Sequence, residues 1–156
     1  MSFSDAAFSP HFDIAPHPDH PGWQSWRLLD DTLYNAFLGE LIVQRRSERS
    51  AAMRMFPERR HANLAGAVHG GTMMGFIDVS LFSAAHLLTD MNSGFSVTLE
   101  LQTHFVGAAK GDEMIESQVE IVRETGRFLF QRGLVVQGAD EAPMASFTAI
   151  IKKSMR

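Results

Sequence analysis

Hydrophobic and polar residues follow one another along this chain in patterns that predict two strands, one long helix and four further strands. The helix is expected at residues 72–88, where apolar side chains occupy nearly every position. A short helix is also expected within residues 23–37. Short apolar runs bounded by turn residues predict the strands: 38–45, 50–56, 95–106, 113–123, 127–136 and 143–152.

Tight turns between consecutive predicted strands indicate an antiparallel sheet. A helix that is apolar on every side must be buried, so the sheet is expected to curl around it. We therefore predict an α+β fold with one long central helix wrapped by a curved antiparallel sheet of about five to six strands. One strand alternates most clearly between apolar and polar residues: Val97, Leu99 and Leu101 against Thr98, Glu100 and Gln102.

The N-terminal segment has a different composition from the rest of the chain. Residues 1–22 contain four prolines and three histidines, and proline at this density disfavours regular structure. An extended arm or a disordered tail is expected. The histidines could bind a metal, but no acid or histidine recurs at helical ligand spacing, so a solvated tail is the better interpretation. We divide the chain into an N-terminal arm, 1–30, and one domain, 31–156.

The composition narrows the class of protein. The chain has 156 residues, 45% of them hydrophobic, which suits one domain with its own core. The absence of cysteine removes disulfides and thiol chemistry, and fits a reducing compartment. A net charge of −4 argues against nucleic-acid binding. No signal peptide or membrane span is recognised. A soluble cytoplasmic protein that binds neither nucleic acid nor membrane is expected.

Two glycines stand at the expected start of the long helix, and one acid lies inside it. A helix start carries unpaired N–H groups and partial positive charge, so Gly70 and Gly71 could hold an acyl carbonyl, or could simply make the turn into the helix. Asp78 is expected to be buried, and residues 61–109 contain no lysine or arginine to pair with it. Gly71, Gly75 and Asp78 fall on one helix face. This face is the candidate site.

The spacing along the helix limits how these groups can act together. Seven residues separate Gly71 from Asp78, which is about 10 Å along the axis. A reacting carbon must lie roughly 3 Å from both its polarising donor and its nucleophile or base. A second copy of the helix, running the other way, could supply the missing group. If the chain is an enzyme, we expect a homo-oligomer whose site is shared between two subunits.

The same residues resemble a known family, the hotdog-fold thioesterases. The resemblance is to the branch that includes the phenylacetate-pathway thioesterase and the small human acyl-CoA thioesterase-like proteins. It covers residues 35–153 and rests on one spaced motif: Asn63, Gly66, His69-Gly70-Gly71 and Asp78. The resemblance implies the hotdog fold, hydrolysis of an acyl-CoA thioester, and no metal or redox cofactor.

The resemblance also implies roles for individual residues. The N–H of Gly70 would polarise the thioester carbonyl, and Asp78 of the neighbouring subunit would be the nucleophile or the base for water. Asn63 and His69 would orient the thioester or water. A hydroxyl on the next strand would assist, from Thr98 or alternatively Ser96.

Arginine is concentrated in the region before the motif, at positions 45, 46, 49, 54, 59 and 60. The cluster is either a solvated strand edge or a surface that meets the phosphates of coenzyme A. We assign Arg59 and Arg60 to coenzyme A, with Gly71 and Ser96 also beside the substrate.

The expected function is hydrolysis of an acyl- or aryl-CoA thioester to the free acid and coenzyme A, by a dimer or a dimer of dimers. The alternative is a non-catalytic acyl-CoA-binding hotdog protein, either a sensor or a carrier partner.

Overall fold

The computed structural model describes residues 11–91 and 96–154. Within these residues the chain forms nine strands and two α-helices, with one turn of 3-10 helix at Arg59–His61: β1 (Phe12–Asp13), β2 (Gln24–Ser25), β3 (Arg27–Leu28), α1 (Tyr34–Phe37), β4 (Leu41–Arg45), β5 (Ser50–Met55), α2 (Gly70–Leu88), β6 (Val97–Phe105), β7 (Ile115–Glu124), β8 (Phe128–Gln137) and β9 (Ala142–Lys152). All six predicted long strands and the long helix are present. Residues 1–10 of the predicted arm, and residue 95 of the strand predicted at 95–106, lie outside the described residues.

The main sheet is antiparallel and has the strand order β2-β4-β5-β7-β8-β9-β6. Helix α2 packs on one face of it and contacts β4, β5, β6 and β7. The predicted architecture of a central helix and a curved antiparallel sheet is confirmed. The sheet has seven strands rather than about five to six, because the two-residue strand β2 adds to one edge.

The described part of the N-terminal segment packs on the domain. Strand β1 pairs with β3, and β2 pairs with β4 at the edge of the main sheet. The rings of Phe12 and Trp26 lie 4.9 Å apart, and Trp26 is 3% exposed. Strand pairing and the contact between Phe12 and the buried Trp26 thus hold this segment against the domain despite its prolines. The division between arm and domain at residue 30 stays a prediction.

Helix α2 begins two residues earlier than predicted, at Gly70. By length and composition alone it could cross a membrane, but more than half of it is buried inside the domain. Its buried side includes Phe76, Ile77 and Leu81, none of which is exposed. The opposite side keeps a partly open stripe: Gly71, Met74, Gly75, Asp78 and Phe82. The helix is therefore buried on most of its surface rather than on every side.

Strand β6 contains an irregularity that sets which residues face the helix. The pairing with β9 shifts between Thr98 and Glu100, so that Leu99 is an extra residue. Thr98 and Leu101 pair with Ile151 and Ala149 of β9, both buried. Thr98 and Leu101 therefore face the same way, and the simple alternation predicted for this strand is wrong at this point.

Candidate active site

The start of helix α2 is capped by an imidazole. His69 has extended backbone angles and is the N-cap, and its Nδ1 accepts the N–H of Gly71 at 2.9 Å. An acceptor at Nδ1 leaves the proton of the neutral ring on Nε2, which can donate outward. The cap satisfies one of the unpaired N–H groups of the first turn. It explains why the helix begins at Gly70 although the preceding residue is not a common N-cap.

The glycines of this helix have different neighbours. A side chain at Gly71 would lie 3.1 Å from Nδ1 of His69, so Gly71 makes room for the capping ring. A side chain at Gly70 would lie 3.6 Å from the ring of Phe105, an ordinary contact. No acceptor for the N–H of Gly70 lies among the described residues. Gly70 therefore presents a backbone donor at the positive end of the helix.

The loop before the helix is organised by Asn63. Its Oδ1 accepts the N–H groups of Ala65, at 2.9 Å, and Ala67, at 3.1 Å. The loop turns at Gly66, which has a φ of 81°, a left-handed conformation that favours glycine. With its oxygen occupied, the Asn63 amide keeps its N–H₂ for donation.

A cleft lies over this loop, next to the helix start. Its volume is about 920 Å³, and Arg59, Asn63 and His69 contribute to its lining. The residues expected to orient a thioester therefore share one cleft with one of the two arginines assigned to coenzyme A.

Asp78 lies two turns further along α2 with a hydroxyl beside it. Thr98 Oγ1 donates to Asp78 Oδ1 at 2.6 Å. Asp78 is half-buried, so the expectation of a buried acid with no local partner is wrong: the partner is a neutral donor from β6. A charged acceptor strengthens such a bond, which fixes the carboxylate. The hydroxyl of Ser96 instead accepts the N–H of Ser154 at 3.1 Å.

The predicted site residues thus form two groups within one chain. Asn63, His69, Gly70 and Arg59 surround the helix start, while Asp78 and Thr98 lie further along it. Eight residues of helix separate Gly70 from Asp78, or about 12 Å along the axis. One substrate carbon cannot contact both groups of the same chain.

The predicted arginine cluster is divided by the fold. Arg46 and Arg54 both pair with Glu116, which is 4% exposed, and both lie over the ring of Trp23. These two guanidinium groups compensate a buried carboxylate on the sheet.

The two arginines assigned to coenzyme A lie closer to the helix start. Arg60 pairs with Glu58 at 3.0 Å and lies over the ring of Phe37. Arg59 has no ion-pair partner among the described residues and lines the cleft with Asn63 and His69. Of the cluster, Arg59 is thus the best placed to meet an anionic ligand.

A buried histidine that no motif in the sequence marked connects the site to α1. His61 is not exposed; its Nδ1 accepts the N–H of Glu58 at 2.8 Å, and its Nε2 donates to the carbonyl oxygen of Phe37 at 2.7 Å. Its own carbonyl oxygen accepts the N–H of His69. The bond to Glu58 is a local cap of the turn at Arg59–His61, but the bond to Phe37 joins a segment 24 residues away, which no local pattern reveals.

A second missed residue lies on the open stripe of α2. The phenol of Tyr34 rests against Gly75, where an added side chain would lie 2.8 Å from the ring carbon that bears the hydroxyl. The glycine inside the helix, expected to allow a close approach, accommodates this phenol. Only the fold brings α1 to this turn of α2.

These features define a class: a central helix in a curved antiparallel sheet, with a backbone N–H donor at its start and an acid further along it. The sequence profile of the thioesterase superfamily matches residues 65–143, and the chain belongs to that superfamily. The prediction of a hotdog-fold thioesterase family is thereby confirmed. A search of curated protein sequences finds no match.

Solved structures with the same fold include zebrafish thioesterase superfamily member 2, with 18% identity and a TM-score of 0.69, over 80% of this chain and 88% of that one. The PaaI protein of the Escherichia coli phenylacetic acid degradation operon has 14% identity and a TM-score of 0.68, over 81% and 86%. A hypothetical thioesterase of Streptococcus pneumoniae TIGR4, solved with coenzyme A, has 13% identity and a TM-score of 0.69, over 78% and 91%. The identities are low, so these likenesses show the fold.

Proposed function

We propose that this protein is an acyl-CoA thioesterase that hydrolyses an acyl- or aryl-CoA thioester to the free acid and coenzyme A, at a site shared between two subunits. The observation that carries the proposal is the pair formed by Asp78 and Thr98, on a partly open helix face whose start offers the N–H of Gly70. The proposal includes a cytoplasmic location and requires no metal or redox cofactor.

The chemistry assigns one task to each group. The N–H of Gly70 stabilises the negative charge that develops on the thioester oxygen. Asp78 either attacks the carbonyl carbon itself or removes a proton from the attacking water. The carbon–sulfur bond then breaks, and the thiolate of coenzyme A takes a proton. Where Asp78 is the nucleophile, the acyl group is left on its carboxylate as an anhydride, and water then hydrolyses this anhydride to the free acid and the original carboxylate. The hydroxyl of Thr98 holds the carboxylate in one orientation, and His69 and Asn63 present N–H donors toward the same cleft.

The separation of Gly70 from Asp78 supports a shared site, and the sheet offers a surface for the second subunit. Strand β6 is an edge strand of nine residues. Val97, Leu99 and Phe105 on this strand are each more than half exposed. A long apolar edge strand readily pairs with another chain. We therefore propose a dimer joined along β6, alone or as part of a dimer of dimers.

The cleft at the helix start supports a place for coenzyme A. Arg59 borders it, and a guanidinium group suits a phosphate. Arg60 remains the second proposed phosphate contact, although Glu58 already neutralises part of its charge. In this arrangement coenzyme A lies over the Asn63 loop and the thioester reaches the helix start.

The test is release of free thiol from a panel of short, long and aromatic acyl-CoA substrates, combined with light scattering on the same preparation. The proposal expects release that saturates with substrate, from a dimer or a larger assembly. A stable and active monomer would contradict the shared site. Tight binding of acyl-CoA without any thiol release would instead favour the non-catalytic binding protein.

A further inference from the structure

Tyr34 is placed on the open stripe of α2 by three features of the fold. Its phenol lies against Gly75, where any larger residue would collide with it. Its ring is 6.1 Å from that of Phe37, whose carbonyl oxygen is held by buried His61. Gly75 and Asp78 are three residues apart, so the phenol approaches α2 about one turn, or roughly 4.5 Å along the axis, from the acid. Tyr34 is therefore next to the candidate site, although no step of the proposed reaction uses it.

The shared site fixes where Tyr34 lies in a dimer. If Gly70 of each subunit faces Asp78 of the other, the two helices run antiparallel, and their crossing point is the residue midway between 70 and 78. This residue is Met74, which is 37% exposed. Gly75 is its neighbour, so the phenol of Tyr34 lies close to the two-fold axis, between the two sites.

The direction of the acyl group follows from the same geometry. Beyond Asp78, toward the C-terminal end of α2, lies the helix start of the other subunit with its cleft for coenzyme A. The acyl group must leave the thioester carbon on the other side, toward Met74 and Gly75. Neither Met74 nor Gly75 carries a polar side chain, which suits an acyl group. Tyr34 stands in the path of a chain that extends in this direction.

We propose that Tyr34 is a specificity-determining residue whose ring closes the acyl end of each site and restricts the protein to short acyl groups. This inference rests on the proposed function. The ring acts as a steric wall at the end of the acyl site, so the limit on acyl length depends on the ring and not on the hydroxyl. Gly75 is the matching feature of α2, because a residue with a side chain there would push the ring away from the helix.

The experiment measures kcat/KM for straight-chain substrates from acetyl-CoA to palmitoyl-CoA. The wild-type protein is expected to prefer the short members. Tyr34→Ala should raise the long-to-short ratio of kcat/KM by about tenfold or more, the effect of burying roughly two further methylene groups. Tyr34→Phe should keep the wild-type ratio. Leu134→Ala, which removes an exposed apolar side chain from the outer face of β8, is the matched control. A ratio is insensitive to a change in the folded fraction.

Two results would overturn the inference that the ring of Tyr34 limits acyl length. A wild-type ratio in Tyr34→Ala would show that the ring is not the wall, while thiol release would still support a thioesterase. A Tyr34→Phe protein that behaves like Tyr34→Ala would assign the effect to the hydroxyl. If the wild-type protein releases no thiol from any substrate, the proposed function fails instead. Binding of non-hydrolysable acyl-CoA thioethers then tests the wall alone, with tighter binding of long analogues by Tyr34→Ala as the supporting result.

Discussion

At the scale of the residue, Asp78 is the group on which the reaction depends. Asp78→Asn keeps the shape of the side chain and an oxygen that accepts from Thr98, but removes the charge. We expect kcat to fall by at least about 10²-fold, the low end of what general acid–base catalysis contributes. The melting temperature should change little, because the wild-type carboxylate is half-buried and hydrogen-bonded.

Both quantities are measured on one preparation, with Asp90→Asn as the control for loss of an exposed acid near the end of the same helix. A folded Asp78→Asn protein with wild-type turnover would remove Asp78 from the mechanism. A lower melting temperature with unchanged turnover per folded molecule would give it a structural role.

The N–H of Gly70 can be deleted with little effect on the fold. Proline suits the first position of a helix, and His69 before it already has the extended conformation that proline requires, with φ −63° and ψ 139°. Gly70→Pro should therefore fold and lower kcat by about 10²–10³-fold, the usual effect of losing one oxyanion donor. Gly70→Ala keeps the N–H and is the control. Equal turnover of the two variants would exclude this N–H as the donor.

Arg59 is expected to contribute to affinity rather than to chemistry. A charge contact made equally in the ground and transition states changes KM and leaves kcat largely unaltered. Arg59→Ala should raise KM for acyl-CoA, and more so at low salt, where screening is weaker. Arg45→Ala is the control, because Arg45 donates to the carbonyl oxygen of Ser47 in a turn of the sheet. An unchanged KM would leave Arg59 as a solvated side chain.

At the scale of the element, His61 joins α1 and the loop that leads into α2. His61→Leu would leave the N–H of Glu58 and the carbonyl oxygen of Phe37 without their partner. We expect the free energy of unfolding to fall by about 2 kcal/mol or more, the cost of leaving buried polar groups unpaired. Denaturant unfolding measures this, with His104→Leu on the exposed side of β6 as the control. Equal stability of the two variants would contradict a structural role for His61.

At the scale of the whole molecule, the shared site can be tested by mixing two inactive proteins. A dimer of one Gly70→Pro chain and one Asp78→Asn chain has one site with both wild-type groups and one with neither. Denaturing and refolding the two proteins together should therefore restore thiol release. Refolding each variant alone is the control. A site made within a single chain predicts no recovery, because every chain carries one defect.

The sequence by itself determined the architecture. The apolar run that follows Gly71 could be stable only inside the domain, and the short apolar runs bounded by turn residues on either side predicted the sheet that covers it. The motif from Asn63 to Asp78 is local, so it was visible in the chain. The spacing of Gly70 and Asp78 also indicated a site shared between two subunits, since the rise per residue of a helix is fixed.

The tertiary structure alone decided which groups meet around that helix. The bulge at Leu99 turns Thr98 toward Asp78, against the simple alternation of the strand. The pairing of Arg46 and Arg54 with Glu116 depends on neighbouring strands that are distant in sequence. Tyr34 contacts Gly75 because the fold packs α1 beside α2, where Phe37 of α1 is hydrogen-bonded to His61. Periodicity reports the burial of a residue within its own element, whereas such contacts depend on strand register and on packing between distant segments.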